Sequence, residues 1–441
     1  MTLFARGLFW LSLYLLLVLA PAAVAVLVNP FVVPRPFLLE VSVGLGLIAT
    51  PMILTQFALV SRIKTAARPF GTDALVQLHR YMGSLAVLFV ISHVILLNLR
   101  GLPWSAWSPI AADPTARSGA IALWSLVLLL ATTLLRERLR ISYEWWRTLH
   151  VVLAVLATGT LAAHIAGVGN YSGTAAMRTM LGAYLVAGAA ILLQYRVVRP
   201  VLLHRRPWRV DANVDEGAST RTLRVRPVGH YGFPFDPGQF AWLVTGRSPF
   251  SQQQHPITIA SSAERGDTGE IELSIKALGD WSTDTVPDIA PGTTVWIDGP
   301  FGAFTTERKA AQGFVFIAGG IGITPIRSML LTMRDRGDRR HAVLLYATHD
   351  RSRTPFRKEL ESAGDKLNLD IIEVLEEPPD DWTGETGFID DGILDRHLPP
   401  HFRRYHFFTC GPARMMNSVE AMLRSRGVPP GAIHSERFDM V

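Results

Sequence analysis

The first part of the chain consists of long apolar segments separated by short polar connectors. Six runs each approach the 17–25 residues that a helix needs to cross the hydrocarbon core of a bilayer. They span roughly residues 7–28, 37–60, 74–97, 118–135, 147–167 and 176–197. The pattern therefore predicts a bundle of six transmembrane helices over residues 1–204.

From about residue 208 the apolar positions follow a different pattern. Short stretches such as 222–226 and 239–244 alternate apolar and polar residues, and turns rich in Gly and Pro separate them. Alternation of this kind is typical of strands with one buried face. We predict an antiparallel β-barrel domain over residues 205–308.

The last part of the chain alternates apolar strands with helical patterns. Stretches 314–318, 341–347 and 405–409 resemble buried parallel strands, and a helix is predicted from about Ile326. This alternation is typical of a doubly wound α/β domain, which we place at residues 309–441.

Charge is distributed unevenly between these regions. The net charge is +6, but residues 1–200 hold 15 Lys or Arg against 5 Asp or Glu, and the remainder holds 28 against 32. A basic excess in connectors between apolar runs follows the positive-inside pattern, so no nucleic-acid partner is implied.

The positions of the cations predict an orientation in the membrane. The connectors after the second, fourth and sixth runs hold at least three Lys or Arg each, and six alternating spans place all three on one side. That side is predicted to be cytoplasmic, together with the second half of the chain. The first run also resembles a cleavable signal peptide, because small residues occur at 23–25.

The single cysteine, Cys410, limits the redox centres that the chain can hold. A disulfide framework, a four-thiolate iron–sulfur cluster and a C-x-x-C-H haem attachment all need more cysteines than one. A redox centre must then be held by other ligands or be a bound organic cofactor.

Four histidines within the apolar runs form two equally spaced pairs. His79 and His93 lie in the third run, and His150 and His164 lie in the fifth, each pair 14 residues apart. Fourteen residues bring a helix back to about the same face, roughly 21 Å further along. We therefore predict that His79 faces His150 near the cytoplasmic side and that His93 faces His164 near the outer side.

Two histidines that face each other across a helix pair can supply both axial ligands of a haem iron. Two such levels predict two stacked b-type haems. Buried histidines bonded to carbonyls, a zinc site and a proton relay are the alternatives, and zinc is disfavoured because further ligands are missing at each level.

Glycines follow the first strand of the α/β domain, at Gly319, Gly320 and Gly322. Such a turn lets backbone N–H groups approach a pyrophosphate at a helix N-terminus, although a tight turn alone would give the same pattern. Cys410 and Gly411 follow a later strand and so lie at the same edge of the sheet, where ligands bind. Taken alone, Cys410 is also consistent with a small buried core residue.

Several segments together resemble the ferric reductase and NADPH oxidase family. Residues 255–262 look like its H-P-[FI]-[TS] flavin motif, and 276–282 resemble its second FAD segment. Residues 298–302, 319–325 and 410–412 resemble its nicotinamide-nucleotide motifs, in the same order. The paired histidines in the third and fifth runs match its haem domain, so the resemblance covers nearly the whole chain.

The resemblance implies roles for individual residues. Thr258 would face the flavin ring, Phe438 would cover it until nicotinamide displaces it, and Cys410 would lie at the reacting centre. FAD would contact His255, Pro256, Ile257, Thr258, Lys276, Gly279, Trp281, Ser282 and Thr283. The nicotinamide nucleotide would contact Gly299, Gly302, Gly319, Gly320, Gly322, Thr324, Pro325, Arg351, Cys410, Gly411 and Pro412. Arg351 slightly favours NADPH over NADH, since a cation there could hold a 2′-phosphate.

The expected function is transmembrane electron transfer from cytoplasmic NAD(P)H through FAD and two haems to an acceptor at the far face, either oxygen or ferric iron. A reductase that supplies a separate membrane or periplasmic partner is an alternative. A proton or ion pathway along the membrane histidines would leave the dinucleotide-binding half unexplained. A module that only senses nucleotide would bind FAD without NAD(P)H-driven haem reduction.

Overall fold

A computed structural model describes residues 3–28, 36–67, 70–264, 269–307, 309–351, 354–364 and 366–437. The chain divides into two compact units, Met1–Val198 and Arg199–Val441. Within the described ranges, six helices of the chain are long and apolar enough to cross a membrane.

The first unit is helical. Its helices are α1 (Leu3–Val28), α2 (Phe37–Leu59), the short α3 (Lys64–Ala67), α4 (Thr72–Leu99), α5 (Pro114–Leu134), α6 (Tyr143–Val168) and α7 (Ala175–Leu193). A π-helical turn follows at Gln194–Val198. The second unit begins with α8 (Arg199–His204).

Capping residues explain where two of the long helices begin. The carboxylate of Asp113 accepts hydrogen bonds from the Thr115 and Ala116 N–H groups, and Pro114 occupies the first position of α5. The Ser142 hydroxyl accepts from the Trp145 N–H at the start of α6. Both arrangements satisfy N–H groups that have no partner inside the helix.

Inside the bundle, α4 packs against α2 and α6 packs against α5. Small residues lie at the centre, where Ala86 and Ala157 are buried beside Met52, Ile53 and Leu126. Small side chains allow membrane helices to approach closely. The histidine-bearing helices α4 and α6 thus each have a different close neighbour.

The first domain of the second unit is an antiparallel sheet. Its strands are β1 (Pro207–Gly217), β2 (Thr220–Pro227), β3 (Phe240–Val244), β4 (Gln254–Thr258), β5 (Ile271–Lys276) and β6 (Thr294–Phe301), in the order β4-β3-β6-β1-β2-β5. A bridge between Ile259 and Leu273 joins the two edges, which closes the sheet into a barrel. Its interior holds Trp208, Leu223 and Leu243.

The second domain has a parallel six-stranded sheet. Its elements are β7 (Gly313–Gly319), α9 (Ile323–Asp335), β8 (His341–Thr348), α10 (Arg357–Gly364), β9 (Leu369–Leu375), β10 (Glu385–Thr386), α11 (Asp391–His397), β11 (His406–Cys410), α12 (Ala413–Ser425) and β12 (Ile433–Glu436). The strand order is β10-β9-β8-β7-β11-β12. Alternate residues of β7 face opposite layers, since Phe316 packs with Ile326 of α9 and Ile317 packs with Val419 of α12.

The predicted fold class is confirmed: six apolar helices, an antiparallel domain and a parallel α/β domain. The helix expected from about Ile326 begins earlier, at Ile323. Pro325 therefore lies in its first turn, where a missing N–H costs no intrahelical hydrogen bond.

Candidate functional site

The structure brings the first pair of membrane histidines face to face. His79 of α4 and His150 of α6 have ring centroids 6.1 Å apart, with ring planes at 47°. Their Nδ1 atoms are buried and make no hydrogen bond of ordinary geometry with any described residue. His79 interacts with the Gln56 backbone, but neither buried Nδ1 has a hydrogen bond of ordinary geometry, an arrangement that is costly unless a ligand compensates.

The spacing of this pair suits a metal between the rings. An imidazole–metal bond of about 2 Å on each side places two opposed ring centroids roughly 6 Å apart. Gly83 follows His79 by one helical turn, and a Cβ there would meet only Gln56, at 3.9 Å. The residues present therefore fit a haem held by two histidines.

The second pair, His93 and His164, is anchored to the backbone of neighbouring helices. His93 Nδ1 donates to the Ser42 carbonyl at 2.8 Å and lies 2.9 Å from the Ser42 hydroxyl. His164 Nδ1 donates to the Thr115 carbonyl at 2.9 Å.

Anchoring through Nδ1 leaves the other ring nitrogen available. Metal-ligating histidines almost always donate their second N–H to a carbonyl or carboxylate, which fixes the tautomer and the ring orientation. In the part of the chain that the structure describes, Nε2 of His93 and of His164 has no hydrogen-bond partner. This pair also fits an axially ligated haem.

Glycines make room for the second pair. A Cβ on Gly46 of α2 would lie 3.5 Å from His93 Nδ1, and one on Gly119 of α5 only 2.8 Å from His164 Nδ1. Within the described ranges, no group of three or more His, Cys, Asp or Glu side chains could hold a metal ion. The histidine pairs are thus the groups to consider for metal ligation.

In the barrel, the two predicted flavin segments touch each other. Residues His255, Pro256, Ile257 and Thr258 belong to β4, which pairs with β3. The His255 ring stacks on Trp281 with centroids 3.7 Å apart and planes at 14°. Trp281 is held in turn by a hydrogen bond from Nε1 to the Thr245 hydroxyl at 3.1 Å.

The second flavin segment forms a turn that bonds to itself. The Ser282 hydroxyl accepts from the N–H groups of Leu278 and Gly279 at 2.9 and 3.0 Å and donates to the Gly279 carbonyl at 2.8 Å. The Thr283 N–H also donates to the Gly279 carbonyl. Ser282 therefore shapes this turn, a role that the sequence did not indicate in addition to its predicted contact with FAD.

The nucleotide turn is compact because its glycines lack side chains. A Cβ on Gly322 would collide with the carbonyl oxygen of Cys410, and one on Gly319 would lie 2.7 Å from Pro412 Cδ. Gly320 has φ +53°, and the Thr324 hydroxyl donates to the Ile321 carbonyl at 3.0 Å. The structure thus brings together Gly319, Gly320, Gly322, Thr324, Pro325, Cys410, Gly411 and Pro412 at the carboxyl edge of the sheet.

Lys276 connects the flavin and nucleotide segments. It ends β5, and its Nζ lies 3.8 Å from the position that a Cβ on Gly320 would take. A cation beside the N-terminus of α9 adds to the positive potential of the helix end, which favours a bound anion such as a pyrophosphate.

The other predicted nucleotide residues lie in tight or engaged positions. Gly299 packs on Ala241, where a Cβ would lie 2.7 Å from the Ala241 Cβ, and Gly302 has φ +101°. The guanidinium carbon of Arg351 lies 5.3 Å from the Trp382 ring centre, and its Nε lies 3.8 Å from Glu373. Arg351 would therefore have to release or share these contacts to hold a 2′-phosphate.

The three residues predicted to act at the reacting centre differ in their surroundings. Thr258 is 4% exposed and Cys410 is completely buried. Phe438 lies outside the described residues. The roles of all three stay predictions.

Comparisons with known proteins match three successive parts of the chain. Residues 45–161 match the family described as "Ferric reductase like transmembrane component". Residues 219–305 match "FAD-binding domain" and residues 316–421 match "Oxidoreductase NAD-binding domain". The six long apolar helices and the first match together indicate a multi-pass membrane protein.

Individual relatives cover about half of the chain. Ferredoxin–NADP reductase B of Sorangium cellulosum is 27% identical over 51% of this chain and 98% of its own length. The flavohemoprotein of Halalkalibacterium halodurans is 31% identical over 53% of this chain, which spans 59% of that relative. The phenol hydroxylase P5 protein of Acinetobacter pittii is 29% identical over 46% of this chain, which spans 58% of it.

Among solved structures, flavohemoglobin from Malassezia yamatoensis with bound FAD and heme matches with a TM-score of 0.50 and 16% identity. The match covers 91% of this chain and 98% of that one. At this identity the similarity is one of fold alone.

Proposed function

We propose that this chain, which has the domain architecture of ferric reductase and NADPH oxidase-like proteins, moves electrons from cytoplasmic NAD(P)H across the membrane to oxygen or ferric iron. When bound, FAD would take a hydride from NAD(P)H and pass on single electrons, which two b-type haems would carry through the bilayer. A separate membrane or periplasmic protein is a further candidate acceptor.

The observation that carries the proposal is the pair His79 and His150. Two rings with buried Nδ1 atoms and centroids 6.1 Å apart, on two helices of a membrane unit, occur in a chain whose other half matches FAD-binding and NAD-binding domains. A purely soluble reductase would have no use for such a pair.

The residues of the chain would perform three tasks. The turn from Gly319 to Pro325, together with Lys276, would bind the anionic part of the nucleotide. His255 and Trp281 would form one wall of the flavin site. In the membrane unit, Ser42 and Thr115 would hold the rings of the second pair in a fixed orientation through Nδ1.

The test is to purify the whole chain in detergent and record its absorbance under anaerobic conditions. We expect NADH or NADPH to bleach the flavin and then to produce the reduced spectrum of a low-spin b-type haem. Comparison of the two nucleotides measures the preference that Arg351 would impart. Flavin reduction without any haem signal would overturn the transmembrane path, and absence of both would overturn the proposal as a whole.

The acceptor is identified by a second set of measurements. Air with and without superoxide dismutase tests for superoxide, and a ferric chelate under nitrogen tests for ferrous product. Reoxidation of the haems by neither acceptor would favour a protein partner instead.

A further inference from the structure

Arg327 of α9 is a buried cation with an unusually complete set of partners. Its side chain is 5% exposed. Nε and Nη2 bond both oxygens of Glu359, at 2.6 and 2.8 Å. Nη1 lies 2.7 Å from a Glu272 oxygen and donates to the Ala260 carbonyl at 2.9 Å. Its guanidinium carbon also lies 4.6 Å from the centre of the Phe356 ring.

The partners of Arg327 lie in the first flavin segment or in elements that adjoin the segments predicted to hold the two cofactors. Ala260 lies in the first flavin segment, and Glu272 lies in β5, the strand that ends at Lys276. Glu359 lies in the first turn of α10, after the loop that holds Arg351. Arg327 itself follows the nucleotide turn within the first helical turns of α9. One guanidinium therefore links the barrel to two segments of the α/β domain.

Two neighbours on α9 contact the same flavin segment and the residue that follows it. The Ser328 hydroxyl donates to the Ser261 carbonyl at 2.7 Å, and Ser328 is completely buried. The Thr332 hydroxyl accepts from the Ala263 N–H at 2.9 Å. The helix that begins at the nucleotide turn is thus bonded directly to the end of the flavin segment.

The charge of Arg327 is secured by its partners. Burial by itself lowers the pKa of Arg327, but the hydrogen bonds and charges of Glu359 and Glu272 outweigh this and raise it. A guanidinium presents its donors in a fixed planar fork, whereas a lysine ammonium is a single point charge on a flexible stem. The fork can hold three partners in one geometry, and an ammonium of similar charge cannot.

We propose that Arg327 is a positioning residue that fixes the nucleotide turn relative to the flavin segments, so that the hydride donor and acceptor meet at reactive distance. This inference rests on the proposed function. Hydride transfer needs reacting atoms about 3–3.5 Å apart, and a displacement of 1 Å can lower a rate by about a hundredfold.

The test compares Arg327→Lys with Arg334→Lys in the whole purified chain. Arg334 lies on the same helix and pairs with its neighbour Asp335, so its substitution is a matched control. We expect Arg327→Lys to lower the limiting rate of flavin reduction per bound FAD by roughly tenfold to a hundredfold. The apparent affinity for NAD(P)H should change much less, because the turn itself is intact.

A second measurement does not depend on turnover. Hydrogen exchange of the resting protein should show faster exchange at 259–263 and 271–275 in Arg327→Lys, and unchanged exchange in Arg334→Lys. Glu359→Gln removes the negative charge that pairs with Arg327 and so weakens the same contact. It should lower the rate of flavin reduction and speed hydrogen exchange as Arg327→Lys does, but by less. If Arg327→Lys folds poorly, the same two measurements can still be made on Glu359→Gln.

The outcomes separate this inference from the proposed function. Wild-type rates per bound FAD together with wild-type exchange in Arg327→Lys would overturn it. A parallel loss of FAD and thermal stability, with the rate per bound FAD unchanged, would also overturn it, because Arg327 would then be merely structural. If wild-type protein shows no NAD(P)H-driven flavin reduction, the proposed function fails, and unchanged exchange would refute the positioning role separately.

Discussion

The two histidine pairs of the membrane unit have the same sequence spacing but different surroundings. His93 and His164 each donate through Nδ1 to a backbone carbonyl of another helix. His79 and His150 face each other at 6.1 Å, and their Nδ1 atoms make no hydrogen bond of ordinary geometry with the described residues, although His79 interacts with the Gln56 backbone. The His93/His164 pair is oriented by hydrogen bonds to neighbouring helices, and the His79/His150 pair by ring packing together with the backbone interaction of His79 with Gln56.

This difference separates two properties of a ligand site. A hydrogen bond from Nδ1 fixes the ring and makes Nε2 a stronger electron-pair donor to a metal. A stronger electron-pair donor stabilises ferric iron more than ferrous iron. Rings without such bonds depend on the metal for their orientation. We therefore expect the His93/His164 site to be the more rigid and the His79/His150 site to be the more dependent on its haem.

The largest expected effect comes from removing one ligand of each pair in turn. His79→Leu and His93→Leu should each lose one haem, about half of the haem absorbance. Electron transfer to the acceptor should nearly stop in both variants, while NAD(P)H still bleaches the flavin. Haem per protein and the anaerobic spectrum provide the measurement.

These two variants also test the pairing. His150→Leu should reproduce the spectrum of His79→Leu, and His164→Leu that of His93→Leu. Unchanged haem content in any of the four would break the assignment of that pair. If the spectrum of His79→Leu instead matched that of His164→Leu, and the spectrum of His93→Leu matched that of His150→Leu, the histidines would be paired differently.

A smaller effect is expected from the glycines beside the anchored pair. Gly119→Ala would place a Cβ 2.8 Å from His164 Nδ1, so the ring must move and its bond to Thr115 must weaken. We expect about a tenfold loss of affinity for one haem, the lower end of the effect of outer-shell changes. Haem retention after dilution in detergent measures this.

Gly46→Ala is the matched control, because its Cβ would lie at an ordinary contact distance of 3.5 Å from His93. This substitution should leave haem retention unchanged and could stabilise α2 by up to about 1 kcal/mol through helix propensity. Equal haem retention in Gly119→Ala and Gly46→Ala would refute the explanation that a Cβ at Gly119 displaces the His164 ring.

The pattern of apolar residues predicted the architecture, because each element type leaves its own period in the sequence. The six long apolar runs, the strands that alternate apolar and polar residues, and the later alternation of strands with helices each reflect which positions are buried. That information is carried by the residues of the segment itself. The equal spacing of the four histidines likewise placed His79 and His150 on corresponding helix faces. Helix ends were predicted less accurately, since α9 begins at Ile323 rather than near Ile326.

The supporting residues could not be predicted in the same way. Ser42 and Thr115 act through a hydroxyl or a carbonyl that faces a ring about 50 residues away in sequence. Any serine in an apolar helix gives the same local signal. Arg327 likewise looks like an ordinary helical arginine, and only the packing of α9 on the barrel reveals its buried partners.

The smallest expected effect concerns the hydroxyl of Ser42. Ser42→Ala removes contacts to His93 Nδ1 at 2.9 Å and to the His93 carbonyl at 2.8 Å, but keeps the carbonyl that accepts from Nδ1. Both haems should therefore remain bound. The reduction potential of one haem should rise slightly, because His93 becomes a weaker electron-pair donor to the iron.

A redox titration that follows the two haems separately measures this shift. Ser125→Ala is the matched control, since Ser125 is also a buried serine of the membrane unit. The shift should appear in the haem that His93→Leu removes. If it appeared instead in the haem that His79→Leu removes, the hydroxyl would not act through His93, and the contrast between an anchored and an unanchored pair would lose its physical basis.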